Sequence, residues 1–256
     1  MDAVALDNDR AIEGLGTTEA QWRTCAGLAA ARHRRAEELV PAGRRAVVVA
    51  PHPDDEVLAV GGLLAQLGRL DRELLLVAVT DGTASHEGSA EWSPERLALE
   101  RPRESDAALR QLGLADARMV RLGLPDGGVD ASLDQLIDRL VPLLRATDVV
   151  FTTWRFDGHP DHEATGNACV AVTEHVGATL IEVPVWAWHW AHVDDVRLPW
   201  SRALRVPLDD IAVAHKKAAV QAFRSQLAPD PSTGAGPILR STTVERAARN
   251  FELVFA

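Results

Sequence analysis

Two kinds of apolar pattern alternate along the chain, short runs that are almost wholly apolar and longer runs at helical spacing. The short runs are Val47–Ala50, Glu73–Thr80 (ELLLVAVT), Arg118–Leu122, Asp148–Thr153 (DVVFTT) and Thr179–Trp186. Runs of that length bounded by prolines, glycines or polar clusters predict strands buried on both faces, as in a parallel sheet. The longer runs predict helices over Val57–Leu70, Glu95–Leu112, Leu133–Leu144 and Ala164–Val176. Ser93 and Pro94 mark a helix start and Gly113 its stop, while Pro102 is placed to kink or split that helix. Gly61 and Gly62 would let the first of these helices lie close to the sheet. Strand, polar loop and helix recur four times, which predicts an α/β fold in a single domain: a Rossmann-like, mostly parallel sheet with helices on both faces.

The flanks are less regular. Thr17–Val40 is rich in Ala, Arg, Glu and Leu and predicts one helix, stopped by Pro41-Ala42-Gly43. This divides the chain into an N-terminal helical extension, residues 1–43, and a main domain, residues 44–256. The cluster Arg32-His33-Arg34-Arg35 reads as the solvated face of that helix. Trp186–Trp200 shows no clear period, Leu208–Leu227 reads as helical, Pro229–Gly236 as a loop and Asn250–Phe255 as a short strand.

Composition narrows the classes. Among 256 residues, 46% are hydrophobic and 25% charged, which suits a globular chain and excludes disordered and fibrous classes. Lys and Arg number 27 against 37 Asp and Glu, a net charge of -10, the wrong sign for tracking nucleic acid or an anionic membrane. Cys25 and Cys169 are the two cysteines, too few for a disulfide framework, and are expected to be reduced. The first ten residues are polar and acidic, unlike a signal peptide, and no apolar run has the roughly 18 residues of a membrane span, so a cytoplasmic location is expected without membrane insertion.

Chemistry concentrates at two strand ends. Pro51-His52-Pro53-Asp54-Asp55-Glu56 follows the first strand, and Trp154-Arg155-Phe156-Asp157-Gly158-His159-Pro160-Asp161-His162-Glu163 follows the fourth. Ligands of open α/β sheets bind outside the carboxyl ends of the strands. His52 and Asp55 stand three apart, as do His159 and His162, and no cysteine is near either cluster. Three N/O ligands plus water is a catalytic zinc arrangement, whereas closed structural sites favour cysteine. These residues leave open which three bind metal. Of the neighbours Asp54 and Asp55, one can ligate while the other takes a proton from water whose pKa such a site lowers to about 7. Either cluster alone could instead serve a helix, its acids complementing the dipole or its loop capping the first turn. Two clusters at the ends of two predicted parallel strands favour a site.

PHPDDEVLAVGG together with HPDHEATG resembles the LmbE-like, or PIG-L, family of zinc-dependent N-deacetylases. TDGTASH, Arg101 with Glu104, LGLPDG and the Lys216-Lys217 helix ending in Ser225-Gln226 resemble further landmarks of that family, from about Arg45 to about Gln226. The resemblance implies zinc, or ferrous iron, held by His52, Asp55 and His162. It implies Asp54 as general base, His159 as the group that polarises the amide oxygen and steadies the oxyanion, and Asp161 as a carboxylate pairing with a histidine. It also implies Arg101, Asp126 and the loop of Ser85 and His86 as substrate contacts. Thr83, where many relatives carry an acid, and Pro51, where many carry Ala, depart from the pattern.

Trp186, Trp188, Trp190 and His189 offer flat faces for a sugar or aromatic aglycone, and Trp188 is taken as a substrate contact; core packing or a homo-oligomer contact are their other uses. The expected function is zinc-dependent hydrolysis of an N-acyl, chiefly acetyl, group from a small GlcNAc-type amino sugar or glycoconjugate. The alternative is a non-catalytic metal-holding or regulatory protein on the same fold. A nucleotide-binding module is disfavoured because His-Pro-Asp-Asp-Glu replaces the glycine-rich turn after the first strand.

Overall fold

The computed structural model describes residues 10–256; the signal-peptide reading of residues 1–9 concerns a stretch outside the described residues. In chain order the elements are α1 Glu19–Trp22, α2 Ala26–Ala30, β1 Arg32–His33, α3 Ala36–Leu39, β2 Ala46–Ala50, α4 Asp55–Arg69, β3 Leu74–Thr80, α5 Pro94–Gln111 and β4 Arg118–Leu124. They continue with α6 Leu133–Leu140, β5 Val149–Thr153, α7 Pro160–Val176, β6 Thr179–Val183, α8 Ala187–Trp190, β7 Ala203–Pro207, α9 Asp210–Val220, α10 Arg224–Leu227, α11 Ser241–Arg246 and β8 Phe251–Phe255.

Among the described residues the strands make one sheet in the order β1-β7-β8-β6-β5-β2-β3-β4. β1 to β7 pair in parallel wherever they meet, and β8 runs antiparallel between β6 and β7. β2 and β5 are buried at every position, as their uninterrupted apolar sequence demands. The chain passes from β2 outward through β3 to β4, then returns so that β5 lies on the other side of β2. The crevice between β2 and β5 is therefore the point where strand order reverses, the usual ligand position of an open α/β sheet. Two large apolar clusters flank the sheet, one joining α4 and α9 to it and the other α6 and α7.

The mostly parallel α/β sheet agrees with the sequence pattern; several boundaries do not. The single helix expected over Thr17–Val40 is three short helices with β1 between them, because Arg32 and His33 pair with Leu204 and Arg205. Tertiary pairing overrides helical composition there. Trp22 of α1 is fully buried in a third cluster with Trp154, Trp188 and Phe255. β7 and α11 form in stretches whose apolar pattern predicts no element, and the helix expected over Leu208–Leu227 is interrupted after Val220. Pro102 leaves α5 one helix. Both cysteines are free and buried. Among the described residues no helix is long and apolar enough to cross a membrane.

α4 has an internal break at Val60 (φ -135°, ψ 21°), and its cause is a buried ion pair. Glu252 of β8 accepts from the backbone N–H of Gly62 at 2.8 Å and of Leu63 at 2.9 Å. Lys216 of α9 donates to the Leu58 carbonyl at 3.0 Å and to Glu252 at 2.7 Å. Leu58 and Gly62 would bond to each other in a regular helix; each instead finds a charged side chain, and the helix bends where these insert.

Candidate active site

The loops leaving β2, β3, β4, β5 and β6 converge on one pocket of about 300 Å³. Its floor is built from the two clusters. His52 Nδ1 lies 3.2 Å from Asp55 Oδ2, His162 Nε2 lies 3.2 Å from the same oxygen, and the two nitrogens are 3.3 Å apart. Tetrahedral zinc with bonds of about 2.0–2.1 Å has ligand atoms roughly 3.3–3.4 Å apart, so this triangle of two nitrogens and one oxygen fits the ion.

Each corner is held from behind. His52 turns Nε2 to Asp161 and Asp126, both at 3.1 Å, and its backbone N–H donates to Asp55 at 3.0 Å. His162, fully buried, turns Nδ1 to Asp157 Oδ2 at 2.8 Å. Asp157 in turn accepts backbone N–H bonds from Val185, Trp186 and Ala187, tying the β5 loop to the one after β6. Imidazoles oriented by carboxylates are the usual outer support of a metal site. The carboxylates around them favour protons on His52 and His162. Burial works against those protons. It is outweighed at His52, whose pKa lies well above the usual range beside Asp126, Asp161 and Asp55, and at His162, raised to about 9 by Asp55 and Asp157. Burial also works against the carboxylate charges. At Asp55 it is overcome by His162 and His52, which hold that pKa well below the usual range, and at Asp126 by His52, which lowers it to about 2.

Asp54 stands beside the triangle on strained backbone, φ 130°, a region non-glycine residues rarely enter. Its N–H is held by Glu56 at 3.0 Å and its carboxylate by Arg101 Nη2 at 3.1 Å. Burial pushes the Asp54 pKa up to about 7 against the pull of Arg101 and His52, with the charges of Asp55 and Glu56 adding to the rise. Arg101 also donates to the carbonyls of Pro53 at 2.6 Å and Gly82 at 2.9 Å. The guanidinium thus lines the pocket while locking the turn that carries Asp54. Glu104, one turn along α5 from Arg101, accepts from the N–H and hydroxyl of Ser225.

His159 caps α7 and faces the pocket. Its Nδ1 accepts the Asp161 N–H at 3.2 Å, which leaves the ring proton on Nε2 as a donor. Burial and the charges of His162 and His52 lower its pKa to about 3, so this donor is neutral. His159 can also join His52 and His162 as a ligand group, as can Asp126 and Asp161 with His52, their ligand atoms lying within 4.8 Å of one another.

Of the residues expected to touch substrate, Asp126, Ser85 and Arg101 line the pocket. Asp126 also accepts the Ala84 N–H at 2.6 Å. His86 does not line it; its ring lies 5.9 Å from that of Trp92. Trp188 is a correction. It is buried against Trp22 with Arg249 4.2 Å over its ring, and Trp186 lines the pocket instead. Two residues apart on a helical turn means about 200° of rotation, so the two indoles face opposite ways. Asp157 carries a role that its motif alone does not disclose; its position at the end of a buried strand, five before His162, is the signal the sequence offers. Ile238 and Leu239, which also line the pocket, come from a stretch without recognisable pattern.

Residues 47–173 match the PIG-L family model, described as GlcNAc-PI de-N-acetylase. The chain is 28% identical to a 1D-myo-inositol 2-acetamido-2-deoxy-alpha-D-glucopyranoside deacetylase of Corynebacterium diphtheriae, over 72% of this chain and 77% of the relative. It is 31% identical to a probable N-acetyl-alpha-D-glucosaminyl L-malate deacetylase 2 of Bacillus anthracis over 49% of this chain, and spans only 57% of that relative's length. A solved structure of a conserved protein from Thermus thermophilus superposes with a TM-score of 0.57 at 27% identity, covering 80% of this chain and 84% of that one. The matched residues 47–173 supply His52, Asp54, Asp55, His159 and His162, so the likeness to the PIG-L family covers both clusters of the site.

Proposed function

We propose that this chain is a zinc-dependent amidohydrolase that removes the N-acyl group of a GlcNAc-type amino sugar or conjugate. The observation that carries the reading is the triangle of His52 Nδ1, Asp55 Oδ2 and His162 Nε2 with the unligated acid Asp54 beside it. The activities named for the two curated relatives support the substrate class.

His52, Asp55 and His162 would hold the ion, zinc or ferrous iron, and the chemistry it supplies is Lewis acidity that lowers the pKa of water and polarises a carbonyl. Asp54 takes the proton of the attacking water and later returns it to the leaving amine nitrogen. His159 Nε2–H donates to the amide oxygen as charge develops there. Asp126 and Ser85 offer an acceptor and a hydroxyl to sugar hydroxyls. A purely metal-holding protein would use neither the strained acid nor the neutral histidine, which makes that reading the weaker one.

The test is amine release from N-acetylglucosamine conjugates with and without chelator. Turnover lost on chelation and restored by zinc is the expected result. Turnover indifferent to chelator, in protein stripped of metal, would overturn it.

A further inference from the structure

The pocket is divided by polarity, and the division follows the edges of the ligand triangle. On the His52 side stand Asp126, bonded to His52 Nε2, and Ser85, next to the Ala84 N–H that Asp126 accepts. On the side of Asp55 and His162 the wall is mostly apolar, with Gln226 and Thr243 as its polar members. Leu58 lies one turn beyond Asp55 on α4, and Val185 and Trp186 donate their N–H groups to the carboxylate that holds His162. Ile238 and Leu239 close the same wall, and Leu239 is anchored by its N–H to the Gln226 carbonyl at 2.9 Å. Leu239 and Val185 belong to one continuous apolar cluster against which Leu58 packs.

An N-acyl amino sugar has one polar end and one apolar end, joined at the amide that must lie over the triangle. The sugar hydroxyls match the side of Asp126 and Ser85, which sends the acyl group toward Leu58, Val185, Trp186, Ile238 and Leu239. A single methyl would leave most of that wall uncovered. We infer that this wall is an acyl-chain subsite and that the enzyme favours N-acyl groups longer than acetyl. The inference rests on the hydrolase reading above. The reaction adds water across the amide C–N bond and releases a carboxylic acid and the amino sugar's free amine.

The experiment compares kcat/KM of the zinc-loaded enzyme on N-acetyl-, N-butanoyl- and N-hexanoylglucosamine by amine release. Burial of each added methylene predicts a gain of about fourfold, equivalent to about 0.8 kcal/mol. Ile238→Asn, at a partly exposed loop position, is expected to lower the hexanoyl-to-acetyl ratio several-fold, with Trp186→Ala as an independent second variant. Acetyl preferred, with rates falling along the series, would overturn the subsite while leaving the hydrolase reading intact. So would a rate gain that follows an octyl aglycone on N-acetylglucosamine and not the acyl length. Failure to cleave any of these amides would overturn both.

Discussion

Lys216 and Glu252 form a 2.7 Å ion pair, almost fully buried, inside the break of α4, each also bonded to backbone that the break sets free. Removing one partner leaves an uncompensated buried charge and a backbone group unsatisfied. Glu252→Gln and Lys216→Met are each expected to lower unfolding free energy by about 3–5 kcal/mol. The pair replacement Lys216→Met with Glu252→Gln is expected to cost less than the two singles summed. Denaturant titration of the four proteins measures this.

Asp157 makes a different prediction because its bonds end at a histidine of the triangle. Asp157→Asn keeps the shape but loses one oxygen, and its amide nitrogen faces either His162 Nδ1 together with the Trp186 N–H or the N–H groups of Val185 and Ala187. Zinc affinity, read by competition with a chromophoric chelator, is expected to fall about 10–100-fold.

Asp54 combines the proposed role of general base with strained backbone. Asp54→Asn is expected to reduce kcat about 10²–10⁴-fold with zinc content nearly intact. Asp54→Gly should be as inactive yet more stable than Asp54→Ala, since the φ of 130° costs a side-chain-bearing residue about 1–3 kcal/mol and glycine little. Equal stability of the two would show that the turn is not strained.

Gly82 lets Arg101 reach that turn. A Cβ at position 82, where φ is +65°, would stand 2.0 Å from Arg101 Nη1. Gly82→Ala is expected to displace the guanidinium from Asp54 and cut turnover, while zinc binding at the proposed ligands His52, Asp55 and His162 is expected to persist; chelator competition and amine release separate the two.

Glu182 on β6 gives the pH dependence of folding. Burial alone would raise its pKa, but hydrogen bonds from Arg155 and Arg202 outweigh burial and hold it below the usual value. A group with a depressed folded pKa contributes stability above its unfolded pKa, near 4.3, and loses it as pH falls through the folded value. Wild type should therefore lose stability below about pH 4 more steeply than Glu182→Gln, seen as a shallower pH dependence of Tm in the variant.

The parts of the site that the sequence disclosed are those that local chemistry defines. His52 to Glu56 and His159 to His162 each combine ligand types with a strand end, so their meeting across β2 and β5 followed from parallel topology alone. Partners supplied from a distance were not visible: Arg101 on Asp54, Ser225 on Glu104, and the N–H groups of Val185 and Trp186 on Asp157. Ala203–Pro207 is a strand because β1 and β8 lie on either side of it, and Arg32-His33 is extended because Leu204 and Arg205 pair with it. The Trp-rich stretch failed for a simpler reason, since its period decides whether Trp186 or Trp188 faces the pocket and four residues are too few to establish one.

The place of β8 has a consequence for synthesis. It lies between β6 and β7 yet leaves the ribosome after both, with 44 positions separating Pro207 from Phe251. At about 5–20 residues per second, β7 and the β1 edge wait roughly 2–9 s for the strand that joins them to the rest of the sheet. Over that interval the break in α4 also lacks Glu252. The nascent chain can therefore bring His52 and His162 together well before the helix carrying Asp55 is held in its final bend.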